Sequence, residues 1–298
     1  MMSALAERIS ARLAVPVDSA VEHFAARLAE ESGAVAVLFY GSNLRTGSLD
    51  GVLDYYVLLP GERRERIWPR VSYREWEQEG AILRAKIATM ALATFAEAAR
   101  GELLDTTIWA RFVQPSALIW CRDDEARGAV VAAIADAAQT AARLAVALGP
   151  AEGPPEDYWR ALFRATYRAE FRVEKAGREN DILAVNEAHF AGLLPLALDA
   201  AGIAFERDGE RLRPGMPAQQ RAGTLAWWNH RRRFGKPLNL IRLLKASTTF
   251  DGASRYAAWK IERHTGMPVE ITPFRERYPI LAAPGVLWSL WRHRRRQG

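Results

Sequence analysis

Three groups of residues in this chain have the types and spacing to handle phosphate chemistry. The first is Gly41-Ser42-Asn43, followed by Ser48, Asp50 and Asp54. Backbone N–H groups and a serine hydroxyl beside a glycine form a cradle for phosphate oxygens, which makes Gly41, Ser42, Asn43 and Ser48 candidate binding residues. Asp54 stands in Leu53-Asp54-Tyr55-Tyr56-Val57-Leu58-Leu59. A carboxylate in such a run costs on the order of several kcal/mol unless it is paired or on a metal. It is the first candidate ligand for a hard cation such as Mg²⁺, and Asp50 is a candidate second. The second group is Lys86, in Arg84-Ala85-Lys86-Ile87-Ala88. Lysine is a compact cation suited to polyphosphate, although an edge lysine with its stem on apolar surface looks the same in sequence. The third is Arg160, Arg164, Arg168 and Arg172, spaced by four and so on one face of a helix. Such a row binds anions or is a solvated face paired with nearby acids.

The whole-chain totals narrow the partners. The 298 residues are 49% hydrophobic and 26% charged, the balance of a chain with a packed core. A net charge of +6 favours an anionic partner. The one cysteine, Cys121, excludes an intrachain disulfide and a cysteine-based zinc site and fits a reducing compartment. Residues 1–14 lack the apolar segment of a signal peptide, and no uninterrupted apolar run of about 18 residues is present. Basic residues are almost all arginine, so the five lysines (Lys86, Lys175, Lys236, Lys245, Lys260) stand out.

The elements that must position these groups are legible in outline. A helix is expected from Asp18 to Glu31, ended by Gly33, then a strand from Ala34 to Tyr40. The loop from Gly41 to Gly51 leads into a strand from Val52 to Leu59, stopped by Pro60-Gly61. A hairpin turning at Gly80 follows, with Arg84 and Lys86 on one side of its second strand. Met90 to Arg100 reads as helix, and helix or extended chain continues to Trp120. Asp123 caps an alanine-rich helix that ends at Gly149-Pro150. Gly153-Pro154-Pro155 is the best linker candidate. Helices are expected over 156–175, 179–201, 219–230 and 238–264, with a loop at Pro214, Gly215 and Pro217.

Helix, strand, Gly-Ser loop, acid-bearing strand and antiparallel hairpin is the element order of a nucleotidyltransferase palm. The expected fold is therefore α+β: a palm of mixed or antiparallel sheet with helices over 1–150, a helical substrate-binding domain over 151–275, and a basic amphipathic tail over 276–298. Gly41-Ser42 and Asp54 resemble the motif of the DNA polymerase beta-like superfamily, Gly-Ser followed by Asp-x-Asp. Tyr56 stands where that motif has its second acid, and Asp50, Glu75 and Glu77 are the substitutes in reach.

The chain also resembles the mitochondrial-type CDP-diacylglycerol synthases, the translocator assembly and maintenance family. That family has Tyr-Gly-Ser-Gly, then a lone Asp followed by apolar residues; here these are Tyr40-Gly41-Ser42-Asn43 and Asp54-Tyr55-Tyr56-Val57. Its Ser-Tyr-x-Gly-Asp-Phe-Arg-Met and Gly-Glu-Asn segments are matched by Thr166-Tyr167-Arg168-Ala169-Glu170-Phe171-Arg172-Val173 and Gly177-Arg178-Glu179-Asn180, with Ala169-Glu170 replacing Gly-Asp. Ala85-Lys86-Ile87-Ala88 and Lys245-Ala246-Ser247 are looser counterparts of two lysine segments. The resemblance covers roughly residues 34–262 in patches. It implies transfer of a cytidylyl group from CTP to a lipid phosphate, with Asp54 on Mg²⁺ and Gly41, Ser42 and Lys86 on the triphosphate. Arg168 and Arg172 would neutralise the incoming phosphomonoester.

The C-terminal tail points toward lipid on its own. Leu287-Trp288-Ser289-Leu290-Trp291 runs into Arg292-His293-Arg294-Arg295-Arg296, apolar anchors beside a polybasic run. Trp227-Trp228 followed by Arg231-Arg232-Arg233 has the same composition and also fits an internal helix end. The expectation is a cytoplasmic protein on the inner face of the cell membrane, with CTP, an anionic lipid phosphate and the membrane surface as partners and no nucleic acid. Two alternatives remain open: a soluble nucleotidyltransferase acting on a small molecule or protein, and an inactive nucleotidyltransferase fold that binds nucleic acid.

Overall fold

The computed structural model describes residues 3–62, 69–78, 80–169, 178–249, 252–266, 268–274, 285 and 288. Helix α1 (Ala4–Leu13) starts at Ser3, whose Oγ accepts from the Ala6 N–H. Helix α2 (Ser19–Ser32) starts at Asp18, whose carboxylate accepts from the Ala20 N–H at 2.8 Å. These side chains satisfy donors that the first helical turn leaves open. Gly33 ends α2 in the left-handed region at φ 65°. Strand β1 (Ala36–Tyr40) then enters the core, with Ala36 to Phe39 buried. The expected loop after Gly41 contains one helical turn, α3 (Ser42–Thr46), before strand β2 (Leu53–Leu59). The hairpin is present as β3 (Arg70–Gln78) and β4 (Ala81–Ala91). After it come α4 (Leu92–Ala99), α5 (Thr107–Phe112) and β5 (Ser116–Cys121), so the ambiguous stretch before Trp120 divides into helix and strand.

The five strands form one mixed sheet in the order β3-β4-β2-β1-β5. Only the central β2–β4 pairing is parallel; the others are antiparallel. Strand alternation sorts the side chains onto two faces. Val37, Phe39, Leu53, Tyr55, Ala85 and Ile87 pack with Phe24 and Leu28 of α2. Leu38, Tyr56, Leu58, Ala88 and Met90 pack on the opposite face, against Phe95, Trp109, Phe112 and the long helix α6 (Asp124–Leu148). Tyr40 stands two residues after Leu38 and Asp54 two before Tyr56, so both lie on this second face, at the edge of the apolar layer.

Helix α6 is, by length and composition, long and apolar enough to cross a membrane, although charged residues interrupt it and no continuous apolar run of about 18 residues is present. Its most apolar window is 72% buried inside the protein, which is the pattern of a core helix. Alanines at Ala133, Ala137, Ala138, Ala141, Ala142 and Ala145 let neighbouring helices approach it closely.

The second half of the chain packs onto the same core. Pro155 opens α7 (Pro155–Ala169), where its missing N–H costs nothing. The glycine-proline segment before it is tied down: Gly153 and Leu212 exchange two backbone hydrogen bonds, of 3.0 and 2.9 Å. Beyond residue 177 follow α8 (Arg178–Val185), α9 (Glu187–Phe190), α10 (Leu193–Ala200) and a hairpin, β6 (Phe205–Asp208) and β7 (Arg211–Pro214). Leu162, Phe163, Leu194, Leu198 and Leu212 share one apolar cluster with Leu38 and Tyr56 of the sheet, so the two halves are joined by a common core.

Helix α11 (Ala218–Thr249) runs unbroken where two helices were expected, and passes through Pro237. The proline deprives the exposed Arg233 of one internal hydrogen bond, at a carbonyl that water can reach. Trp227, Trp228 and Arg231 dock this helix on the core. Trp228 is 2% exposed, Trp227 donates to the Gly101 carbonyl at 3.1 Å, and Arg231 donates to the carbonyls of Gly101 and Leu103. Their membrane-like composition therefore belongs to an internal helix contact. The last described helix is α12 (Ala253–Thr265). Of the tail over 276–298 only Gly285 and Trp288 are among the described residues, and Trp288 is 56% exposed.

Candidate active site

The sheet register builds the floor of the site. Tyr40 of β1 lies opposite Asp54 of β2, Asp54 opposite Lys86 of β4, and Lys86 opposite Tyr73 of β3. Four chemically active side chains thus form one row across the sheet. Gly41 turns the chain away at the end of β1 with φ 93° and ψ −161°, a conformation that only glycine adopts easily. It is also pressed against the acid: a Cβ on Gly41 would lie 3.1 Å from Asp54 Oδ2.

The loop that follows is shaped by Asn43. This side chain is 7% exposed, and its Nδ2 donates to the carbonyls of Ser48 and Asp50, each at 2.8 Å. Asn43 therefore clamps the loop internally. Ser48 Oγ accepts from the Asp50 N–H at 3.0 Å, and Asp50 itself is exposed. Ser42 lies at the surface at the start of α3, its Oγ 3.3 Å from Asn43 Oδ1.

Helix α5 supplies a cation that the sequence reading passed over. Arg111 stacks on the Tyr40 ring at 5.2 Å from its centroid and reaches over the end of the sheet. Burial pushes the Asp54 carboxyl above its usual range, and the charges of Lys86 and Arg111 pull it back. Burial lowers Lys86, Asp54 raises it, and Arg111 and Lys260 lower it again. Tyr40 and Tyr56 are pushed up by burial, Tyr56 to about 12, so both phenols stay neutral at physiological pH. The result is one half-buried carboxylate between two cations, inside a wall of neutral aromatics.

A cleft of about 340 Å³ opens over this floor. Tyr40, Gly41, Ser42, Arg45 and Asp54 line its sheet side. Arg111 and Gln114 of α5 form one wall; Tyr167 of α7 and Asp181, Ile182 and Asn186 of α8 form the other. The two sequence motifs on either side of Gly153 therefore meet, Gly41, Ser42 and Asp54 from the first and Tyr167 from the second. Tyr167 reaches the cleft, whereas Arg168 is exposed and does not line it. Arg172 lies outside the described residues. Arg160 of the same row is bound to Asp157 and Asn180.

The other acids considered beside Asp54 are paired or exposed. Glu75 accepts from the Tyr73 hydroxyl at 2.8 Å and pairs with Arg84 at 3.3 Å; Glu77 is exposed on the edge strand. Among the described residues no cluster of three or more His, Cys, Asp or Glu side chains is positioned to hold a metal. By its oxygen donors and its place at the cleft, Asp54 is the residue here that would hold a hard cation such as Mg²⁺.

A buried ion pair holds α5 in place. Arg242 of α11 donates to Asp105 Oδ1 at 2.6 Å, and the Thr107 N–H and hydroxyl also bind this carboxylate. Burial opposes the ionisation of Asp105, but Arg242 and Thr107 hold its carboxyl below the usual range. Neither a protein-family model nor a curated protein matches this chain.

Proposed function

We propose that this protein is a nucleotidyltransferase that moves a cytidylyl group from CTP to a lipid phosphate, giving a CDP-lipid and pyrophosphate, at a nucleotidyltransferase palm formed by the mixed sheet. One observation carries the reading: a lone Asp54 held between Lys86 and Arg111 at the mouth of a cleft, with Gly41 bare against it. Such a site attracts a polyanion that brings its own cation. The nucleotide base and the lipid rest on the motif resemblance; the exposed Ile271, Phe274 and Trp288, and the polybasic run Arg292 to Arg296 in the sequence, support a membrane-bound acceptor.

The chemistry follows from charge and position. Asp54 would hold Mg²⁺, which when bound supplies charge neutralisation on the phosphate oxygens. Lys86 sets positive charge on the nucleotide's phosphates, Arg111 sets it on the cleft side where the acceptor phosphate enters, and the bare Gly41 leaves the backbone open beside Asp54. An oxygen of the acceptor phosphate attacks the α-phosphorus in line; the new P–O bond forms as the bond to the β-phosphate oxygen breaks, and pyrophosphate leaves with the electron pair. No protein nucleophile is required, so catalysis is positioning and electrostatic stabilisation. Asp54 must be ionised, which its two cations favour against burial.

The test is incubation of the protein with labelled CTP, Mg²⁺ and liposomes containing phosphatidic acid. The expected product is a CDP-lipid, made by the wild type and not by Asp54→Asn. An undiminished rate in Asp54→Asn, or no product with any lipid phosphate, refutes the proposal.

A further inference from the structure

Helix α12 lies across the same face of the sheet, on the β3–β4 side of Asp54. Its Tyr256 ring packs on Tyr73 with centroids 5.4 Å apart, and Tyr73 is the register partner of Lys86. Trp259, three residues on, takes the Arg84 guanidinium at 5.5 Å and that of Arg263 at 5.2 Å. Gly252, just before the helix, sits so close to β3 that a Cβ there would lie 2.5 Å from the Tyr73 carbonyl oxygen. At its other end Arg263 reaches the loop leading into β2, where a Cβ on Gly51 would meet its Nη1 at 3.0 Å. The helix is thus seated on β3, touches Arg84 of β4 and reaches the loop that leads into β2.

Lys260 lies one turn beyond Tyr256 and so on the same face of α12, its Nζ 5.7 Å from the Tyr256 ring centroid. The packed series Lys86, Tyr73, Tyr256, Lys260 brings two of the chain's five lysines to one place. The charge of Lys260 is felt at Lys86. Among the described residues neither ammonium has a carboxylate within 4.0 Å. Two like charges brought together beside a single acid leave the local field positive on this side, which an anion would relieve.

Asp54 divides the floor: the cleft with Arg111 lies on its β1 and α5 side, and the lysines lie on its β4 side. We infer that Lys260 is a second phosphate-binding lysine of this site, and that α12 seats it beside Lys86 so that the pair holds the departing pyrophosphate of a nucleoside triphosphate. This rests on the nucleotidyl-transfer reading and extends it. With the α-phosphorus over Asp54, the acceptor arrives from the cleft and pyrophosphate departs toward the lysines, the opposed directions that in-line displacement needs. Lysine suits the departing group, since it binds polyphosphate as a point charge.

The experiment is calorimetric titration of the full chain with inorganic pyrophosphate in the presence of Mg²⁺. Lys260→Ala is expected to bind it roughly tenfold more weakly than the wild type, the scale of one lost hydrogen bond to a charged group. Lys260→Met, which keeps the apolar stem over Tyr256, should show the same loss with an unchanged thermal midpoint. Arg207→Ala, which removes one exposed positive charge on the β6–β7 hairpin, should bind as the wild type does. Equal affinity in wild type and both Lys260 variants overturns the assignment and leaves the proposed activity standing. An equal loss in Arg207→Ala also overturns it, because net charge would then explain the effect. A wild type that does not bind pyrophosphate overturns the subsite and the nucleotidyl-transfer reading together.

Discussion

Replacing Gly41 by alanine perturbs the site at two levels that separate experimentally. The backbone at Gly41 has φ 93° and ψ −161°. An L-residue held there carries strain on the order of 1–3 kcal/mol. The added methyl would also lie 3.1 Å from Asp54 Oδ2, so the carboxylate or the strand end must yield by a few tenths of an ångström. Gly33 is the control. It has φ 65° in the left-handed region, and a Cβ there meets nothing within 4 Å. Gly33→Ala should cost about 1–2 kcal/mol of stability and leave the proposed CTP turnover unchanged. Gly41→Ala should cost about 2–3 kcal/mol in urea denaturation, strain plus contact, and lower turnover at least tenfold. If Gly41→Ala matches Gly33→Ala in both measurements, the close approach of backbone and acid has no role in the site.

Three further outcomes are expected. Arg242→Ala strands the ionised Asp105 in the core and should cost about 3–5 kcal/mol, with a double-mutant cycle against Asp105→Asn recovering most of it; an effect under 1 kcal/mol by urea denaturation contradicts the pairing. Lys86→Met removes a charge that favours ionised Asp54, so the Asp54 carboxyl should titrate at higher pH in carbon-detected NMR; an unmoved or lowered titration refutes their coupling. His189 is held near 4, below its ordinary 6.5, by burial, and its Nε2 lies 2.9 Å from the Val113 carbonyl. The folded state therefore binds a proton less readily than the unfolded chain, and stability falls as the pH drops from about 6.5 toward 4. Between pH 7 and 5 the loss should be about 2 kcal/mol, flattened in His189→Gln; equal slopes in the two proteins would show that another group titrates.

Much of the scaffold was legible because short-range rules and tertiary packing agree there. Asp18, Gly33, Asp123 and Gly149 bound helices where capping chemistry places them, and the Gly80 hairpin forms as alternation predicts. The rules failed where packing decided the outcome. Helix α11 continues through Pro237 because its tryptophans and Arg231 are buried against Gly101 and Trp109, while Gly235 permits contact with the Ala169 carbonyl. Arg111 escaped notice although it interrupts Ile108-Trp109-Ala110-Arg111-Phe112, the same kind of signal that singled out Asp54. Lys260 carried only the weak signal of being one of five lysines.

By itself the sequence determined the loop glycine, the acid in an apolar strand and the lysine on the next sheet strand, because those properties belong to single residues and to the two-residue period of a strand. Only the tertiary structure decided which distant groups join them. Arg111, Tyr167 and Asp181 line the cleft with Asp54 and Lys260 acts at Lys86, each from a different helix, and their convergence depends on how those helices pack on the sheet, a matter of three-dimensional shape that no local spacing encodes. The same packing turned Asn43 inward as a loop clamp and left Arg168 at the surface, where residue type alone could not distinguish a structural side chain from one that meets substrate.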